Sequence, residues 1–407
     1  MSNIQITNKI KALSRITALV AILCLQLAGT RAYASGGQEE GKFNAGEMIV
    51  HHISDAHSIH FFGNVSLPLP CIVKTDKGFD FFMSSVFMDE HHEFTKKYTS
   101  DATGNTYELH HEKIYVVDPL EQHSENHVEE AIVADTIQLV TDSLAVIQPA
   151  EADAHAEGHE EFHGHQVLDF SITKSVFGMM LMLMLVLFLF TRMAKAYEKR
   201  KGQAPKGMQN MLEPFVLFIK DEVAIPALGK KRAQKFLPFM LTSFFFIWAS
   251  NMLGLIPFLG GFNITGTLSI TLVLAVFVFI LTTINGNAHY WGHIVWPPGV
   301  PLAIKFILVP IEFLSIFIKP AVLMIRLTAN INAGHIIILA FTSLILIFGE
   351  QSVVAGYGVG VFSTLFIVFM FFIELLVAFL QAYVFTLLAA LYFGDATQEH
   401  HHEEAHH

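Results

Sequence analysis

The sequence predicts an all-α polytopic membrane protein. It has about five membrane helices, the last two forming a long tilted hairpin, and a small exported N-terminal region with some β structure. Three observations predict this. First, 53% of the 407 residues are hydrophobic, only 15% are charged, and Phe alone contributes 37. That is too apolar for a soluble chain of this length. Second, 25 of the 36 acidic residues lie between Ser35 and Asp169, with six Lys, whereas the remaining basic residues concentrate between Arg192 and Lys235. Such asymmetry fits two parts that face different compartments. Third, apolar runs of membrane-spanning length recur from Ile172 onward.

The N-terminus has the order of a targeting segment. Lys9, Lys11 and Arg15 precede the apolar run "ITALVAILCLQLAG", and Ala32 and Ala34 occupy the small-residue positions that a signal peptidase requires. Residues 1–34 are thus expected to be a signal peptide, the alternative being an uncleaved first span. Cleavage removes Cys24 and leaves Cys71 without an internal disulfide partner.

Residues 35–170 form an acidic, His-rich periplasmic region that holds 14 of the 22 His. "KIYVVD" and "DTIQLV", with "ATGNTY" as a turn, predict a few short strands. "EADAHAEGHEEFHGH" has the composition of a solvated linker. Its His and acids could hold a metal, but no fixed ligand spacing stands out, so no metal site is assigned.

Residues 171–393 are the expected membrane domain. "ITKSVFGMMLMLMLVLFLF", Ile172 to Phe190, is long enough to cross the hydrocarbon. Six basic residues follow within 15 positions from Arg192, which marks the cytoplasmic side and agrees with the signal peptide. "MLEPFVLFIKDEVAIPALGKKRAQKF", interrupted by Pro214 and Pro226, predicts an amphipathic segment lying on the cytoplasmic surface. "FLPFMLTSFFFIWASNMLGLIPFL", which carries Asn251 as a supporting polar residue, rises through the membrane. "GGFNITG" turns the chain and "TLSITLVLAVFVFILTTI" returns it. Two long apolar blocks remain, Leu302 to Phe348 and Tyr357 to Phe393. The first would run about 70 Å as one helix, more than twice the hydrocarbon thickness, so it must tilt, lie along the membrane or bend at Pro310 or Pro320. Five crossings put the turn "GEQSVVAGYG" outside and the His-rich tail, residues 394–407, in the cytoplasm.

The ionisable residues within the long blocks follow a pattern. Lys305, Glu312, Lys319 and Arg326 recur every seven positions and therefore share one helical stripe. Intramembrane charge of this kind is expensive and defaults to a functional reading. For Glu312 and Lys319 an ion pair holding helices together is an equal alternative, and Lys305 can snorkel to the interface. Asn330 lies one turn beyond Arg326 on the same face. With the hairpin turn centred near Ser352–Val353, counting places Arg326 level with Gln381, and His335 level with Glu374 nearer the outside. An imidazole and a carboxylate held together can exchange a proton, while an Arg keeps its charge. No acid stands beside Arg326 in its own helix, so its partner acid is expected on another subunit.

"LMIRLTANINAGHIII", with "EFLSIFIKPAV" before it and "ELLVAFLQAYVFTLLAALYF" after it, resembles subunit a of the rotary ATP synthase, the stator proton channel of its membrane sector. "FIKDEVAIP" and "FLPFMLTSFFFIWASNMLGLIP" share the resemblance, which covers roughly residues 170 to 393. It implies a bacterial inner-membrane subunit that is not an enzyme on its own and carries no cofactor. It also implies a c-ring, a peripheral-stalk subunit b and the rest of the ATP synthase as partners. The position matching Arg326 would face the c-ring carboxylate, and those matching His335 and Glu374 would line the access path from outside. Some family members carry this Glu and His in exchanged order.

Two other classes stay open. A proton-coupled secondary transporter would fit the spans, although no internal repeat is visible. A membrane-anchored metal-binding protein would use the exported His residues, although five spans exceed what an anchor needs. No GxxxxGK[ST] loop is present, so nucleotide chemistry would belong to partner chains.

Overall fold

The computed structural model describes residues 45–46, 49, 53–62, 65–89, 94–110, 112–117, 165–199, 203–256 and 261–397. The expected signal peptide, the strand "DTIQLV", most of the His-rich linker and most of the C-terminal tail lie outside these residues.

Five helical stretches among the described residues are long and apolar enough to cross a membrane. Helix α1 spans Lys174–Lys199. Helix α2 (Met208–Phe218) passes through a π-helical turn, Ile219–Ala224, into α3 (Ile225–Gly254). Helix α4 (Leu268–Asn285) and the short α5 (Ala288–Val295) lead to α6 (Leu302–Gln351) and α7 (Val353–Thr397). The chain divides into two units: residues 71–170, and the remainder.

The core of the helical unit joins the packed faces of α1, α3, α4, α6 and α7 through residues such as Met182, Met240, Phe244, Val278, Leu327 and Phe385. Large apolar side chains on the opposite faces, among them Met184, Leu187, Phe306 and Leu365, are exposed. Apolar outward faces with all backbone bonds kept inside the helices are what a hydrocarbon solvent selects. The β-hairpin of β1 (Ser58–Phe62) and β2 (Val65–Pro68) belongs to this unit, and its Ile59 joins the same core.

Residues 208–228 differ from the expected surface segment. They are amphipathic, with Asp221 and Glu222 exposed. Their apolar stripe, however, is buried through Ile219, Val223, Ala224 and Leu228, and Phe215 stacks 4.7 Å from Trp248 of α3. The cause is Gly229, whose φ of 75° breaks the helical path and folds α2 back on α3. Only glycine takes that conformation at no steric cost, and its effect on direction is not carried by composition.

Helix α6 runs unbroken through Pro310 and Pro320 for 50 residues, about 75 Å at 1.5 Å per residue. Ser352, with extended φ and ψ, is the only non-helical residue between α6 and α7. There Gly356 lies so close to Gly349 that an added Cβ would stand 2.8 Å from the Gly349 Cα.

The second unit contains two sheets. In one, β4 (Gly78–Met83) and β9 (Leu168–Asp169) flank β3 (Pro70–Thr75). The other has the order β5 (Tyr98–Thr99), β6 (Thr106–His110), β7 (Lys113–Val117), β8 (His165–Gln166). The expected "KIYVV" strand is β7, and the turn in "ATGNTY" separates β5 from β6. Cys71, Val73, Phe87, Tyr107 and Ile114 form the core. Within it, the Asp80 carboxylate accepts hydrogen bonds from Ser100, Thr103 and Tyr107. Burial pushes the Asp80 carboxyl up, but these three donors outweigh it and hold it below its ordinary range.

Candidate functional site

The site is built on the antiparallel hairpin of α6 and α7, with α3 and the loop before α4 packed against it. The register found by counting from Ser352 is the one the helices adopt. Asn330 Nδ2 donates to Gln381 Oε1 at 2.8 Å. His335 Nε2 lies 3.8 Å from Glu374 Oε1, with the two side chains 14% and 6% exposed. That distance is longer than a hydrogen bond. Neither Glu374 oxygen accepts a hydrogen bond from a described residue. Gly334 makes the approach possible: a Cβ there would stand 2.9 Å from Glu374 Oε1.

A small cleft opens beside this pair, lined by His335, Glu374, Asn251, Asn263, Thr265 and Ser250 among others. Asn251 Nδ2 donates to the Ala378 carbonyl at 3.2 Å, and its Oδ1 accepts from Thr265. It thus ties α3 to α7 at the cleft wall. Sequence reasoning passed over Asn263, Thr265 and Asn332. Asn263 Nδ2 donates to Asn332 Oδ1 at 2.7 Å, and Asn332 Nδ2 donates to the Gly266 carbonyl at 3.1 Å. For Asn263 and Thr265 the signal was present as polar residues in "GGFNITG", a stretch whose role as a turn explains them equally well; Asn332 stood in α6, two residues beyond Asn330.

A second small cleft lies toward the N-terminal half of α6 and the C-terminal end of α7. Thr282 and Thr283 of α4, Ile316, Lys319 and Pro320 of α6, and Tyr392 and Asp395 of α7 line it, with Tyr290 of α5. Lys319 Nζ lies 3.9 Å from Asp395 Oδ2 and 5.5 Å from the Tyr392 ring centre. The pair is largely exposed to solvent and holds little energy by itself. Glu312 and Asp395 both act electrostatically on Tyr290. Lys305 at the head of the stripe stacks its Nζ 4.0 Å from the Trp296 ring centre.

Between the clefts stands Arg326. On α6 the nearest lining residues are Pro320 on one side and Ile331 on the other, about 16 Å apart along the helix axis. Arg326 is exposed, as are Ile325, Ala329 and Asn330 around it. Among the described residues no acid forms an ion pair with it. Arg326 is thus a permanent cation on an apolar helix, turned outward and without an ion-pairing acid among the described residues, and such a charge is costly to hold within a membrane.

Residues 177–394 match the family described as ATP synthase A chain. The chain belongs to the ATP synthase A chain family. It is 39% identical over 245 residues to ATP synthase subunit a of Chloroherpeton thalassium, covering 58% of this chain and 70% of that one. It is 38% identical over 288 residues to ATP synthase subunit a 2 of Prosthecochloris aestuarii, covering 62% of this chain and 86% of that one. With ATP synthase subunit a of Myxococcus xanthus the identity is 37% over 271 residues, 63% of this chain and 85% of the relative. In this member of the A chain family, residues 48–139 match a separate family described only as a domain of unknown function, DUF8433. The stretch matched by the A chain family therefore holds Arg326, Asn330, His335, Glu374, Gln381, Glu312, Lys319 and Asn251, and the β-containing region matches a different family.

Proposed function

We propose that this chain is the proton-translocating stator subunit of a rotary ATP synthase, anchored in a bacterial inner membrane with its N-terminal region outside and its C-terminus in the cytoplasm. The observation that carries the reading is the pair of clefts on either side of Arg326 along α6, with Arg326 itself exposed and neutralised by no described residue. Protons enter from outside through the cleft lined by His335 and Glu374 and load a carboxylate of the c-ring. Once neutral, that carboxylate turns into lipid, because a protonated acid no longer carries the cost of a buried charge. After nearly a full turn it reaches the second cleft, and the approaching Arg326 favours release of its proton. Arg326 also blocks a direct leak between the clefts, since a guanidinium neither accepts nor gives up a proton under these conditions. Asn330 and Gln381 position that face, and Asn251 holds the outer cleft wall. Each charge crossing yields about 2.3 kcal/mol per 100 mV, so several are needed per ATP. Peripheral-stalk subunit b would hold the chain against rotation, and ATP chemistry would belong to partner subunits.

The test is Arg326→Ala in the assembled complex in membrane vesicles. Proton-driven ATP synthesis is expected to vanish, and synthesis at the native rate would refute the assignment.

A further inference from the structure

The segment 53–70 lies outside the stretch matched by the A chain family, yet it is built into the helical unit. Ile59 and Leu69 are buried in the same core as Phe262, Ile264 and Met240. Three backbone or cap contacts seat the segment on the start of α1. Asp55 Oδ1 accepts from the Ser175 N–H at 2.9 Å, the Ala56 carbonyl accepts from the Lys174 N–H at 2.8 Å, and the Pro70 carbonyl accepts from Ile172 N–H at 3.1 Å.

From that first turn of α1 a polar line leads inward. Ser175 Oγ accepts from Thr267 at 2.8 Å, a hydroxyl that also reaches the Asn263 carbonyl at 3.0 Å. Asn263 lines the cleft of His335 and Glu374, and its Oδ1 is buried without a hydrogen-bond partner. His57, Ser58, Ser171, Lys174 and Ser175 are all buried at the same end of the helices.

We propose that the 53–70 segment forms the outer mouth of the proton path, and that Asp55 is its positioning residue, fixing α1 against the loop that walls the cleft while holding negative charge at the entrance. This rests on the proton-channel reading above. The charge does two things. It adds negative charge at an end that also carries Lys174 and His57, the charged and titratable residues on the elements packed there, and it raises the local concentration of protons. The cap does a third: it satisfies an N–H at the start of α1 that would otherwise lack a partner.

Asp55→Asn separates these roles, because Asn caps a helix as well as Asp does but carries no charge. In energised vesicles holding the whole complex, Asp55→Asn is expected to lower proton-driven ATP synthesis by about threefold at neutral outer pH. It should also move the outer-pH profile of that rate toward acid, with the dependence on cytoplasmic pH unchanged. Asp55→Ala is expected to do the same more strongly. Native rate and native outer-pH profile in Asp55→Asn overturn the proposal, whatever Asp55→Ala does. Arg326→Ala measured alongside keeps the two readings apart: its loss of synthesis with a silent Asp55→Asn refutes only the mouth, whereas native synthesis in Arg326→Ala refutes the channel itself.

Discussion

Asn330 on α6 donates a 2.8 Å hydrogen bond to Gln381 on α7, one helical turn from Arg326. The bond crosses the terminal hairpin and locks the register that brings His335 beside Glu374. If it positions Arg326, Asn330→Ala and Gln381→Ala each slow proton-driven ATP synthesis roughly tenfold, the effect of about 1.4 kcal/mol from one lost polar contact. The double variant is expected to be no slower than the slower single one, since both remove the same bond. Multiplicative losses in the double-mutant cycle contradict a shared role.

The His335–Glu374 pair predicts an exchange experiment. His335→Gln and Glu374→Gln each remove one proton-exchanging group and are expected to cost at least tenfold in synthesis rate, the low end of what a positioned acid–base group contributes. The double exchange His335→Glu with Glu374→His keeps one imidazole and one carboxyl at this contact between α6 and α7. It is expected to outperform both single variants. An exchange variant as poor as the singles means that each position needs its own residue.

Gly334 offers a steric test of the same site. Gly334→Ala places a Cβ 2.9 Å from Glu374 Oε1 and displaces the carboxyl, while the helix itself gains from Ala. Synthesis falls while thermal stability in detergent holds or rises. Gly349→Ala, where a Cβ meets nothing within 4 Å, is the matched control and retains the native rate. Equal rates in the two variants would remove the argument for close approach.

Asp80 predicts a pH dependence in the β-containing unit. Its folded carboxyl titrates below the ordinary value. The stabilisation it supplies is therefore fully present above the unfolded value of about 3.9, and is lost as pH falls through the lower folded value. Asp80→Asn leaves Tyr107 and Ser100 with a neutral partner and is expected to cost about 1–3 kcal/mol at pH 7. Limited proteolysis of the full-length protein within residues 71–170 reads this out. The gap between wild type and variant narrows as pH falls toward 3, and a gap that stays constant or widens counts against the charge-assisted network.

Much of this was legible in the sequence because helices impose arithmetic. The seven-residue spacing to Arg326 and the count on either side of Ser352 depend only on 1.5 Å rise and an antiparallel turn, so the levels of Gln381 and Glu374 followed without coordinates. What depended on one backbone angle did not follow. Gly229 turns α2 onto α3, and nothing in the amphipathic pattern tells whether its apolar stripe meets lipid or protein. Asn263 and Thr265 were missed because polar residues in a turn need no further reason, and Asn332 because its partners, Asn263 and the Gly266 carbonyl, lie 66 or more residues away in the chain. Asp395, which meets Lys319 at the second cleft, stands where the apolar block gives way to the tail and carries no spacing signal. Asp55 was invisible for a different cause: its contact with Ser175 spans 120 residues, and only the fold brings them together.

The central claim is that Arg326 keeps two clefts apart, and passive proton conduction tests it most directly. With ATP turnover inhibited so that the ring cannot rotate, vesicles carrying the native complex are expected to hold an imposed pH gradient, and Arg326→Ala vesicles to dissipate it. A gradient held equally well by Arg326→Ala vesicles would contradict the account.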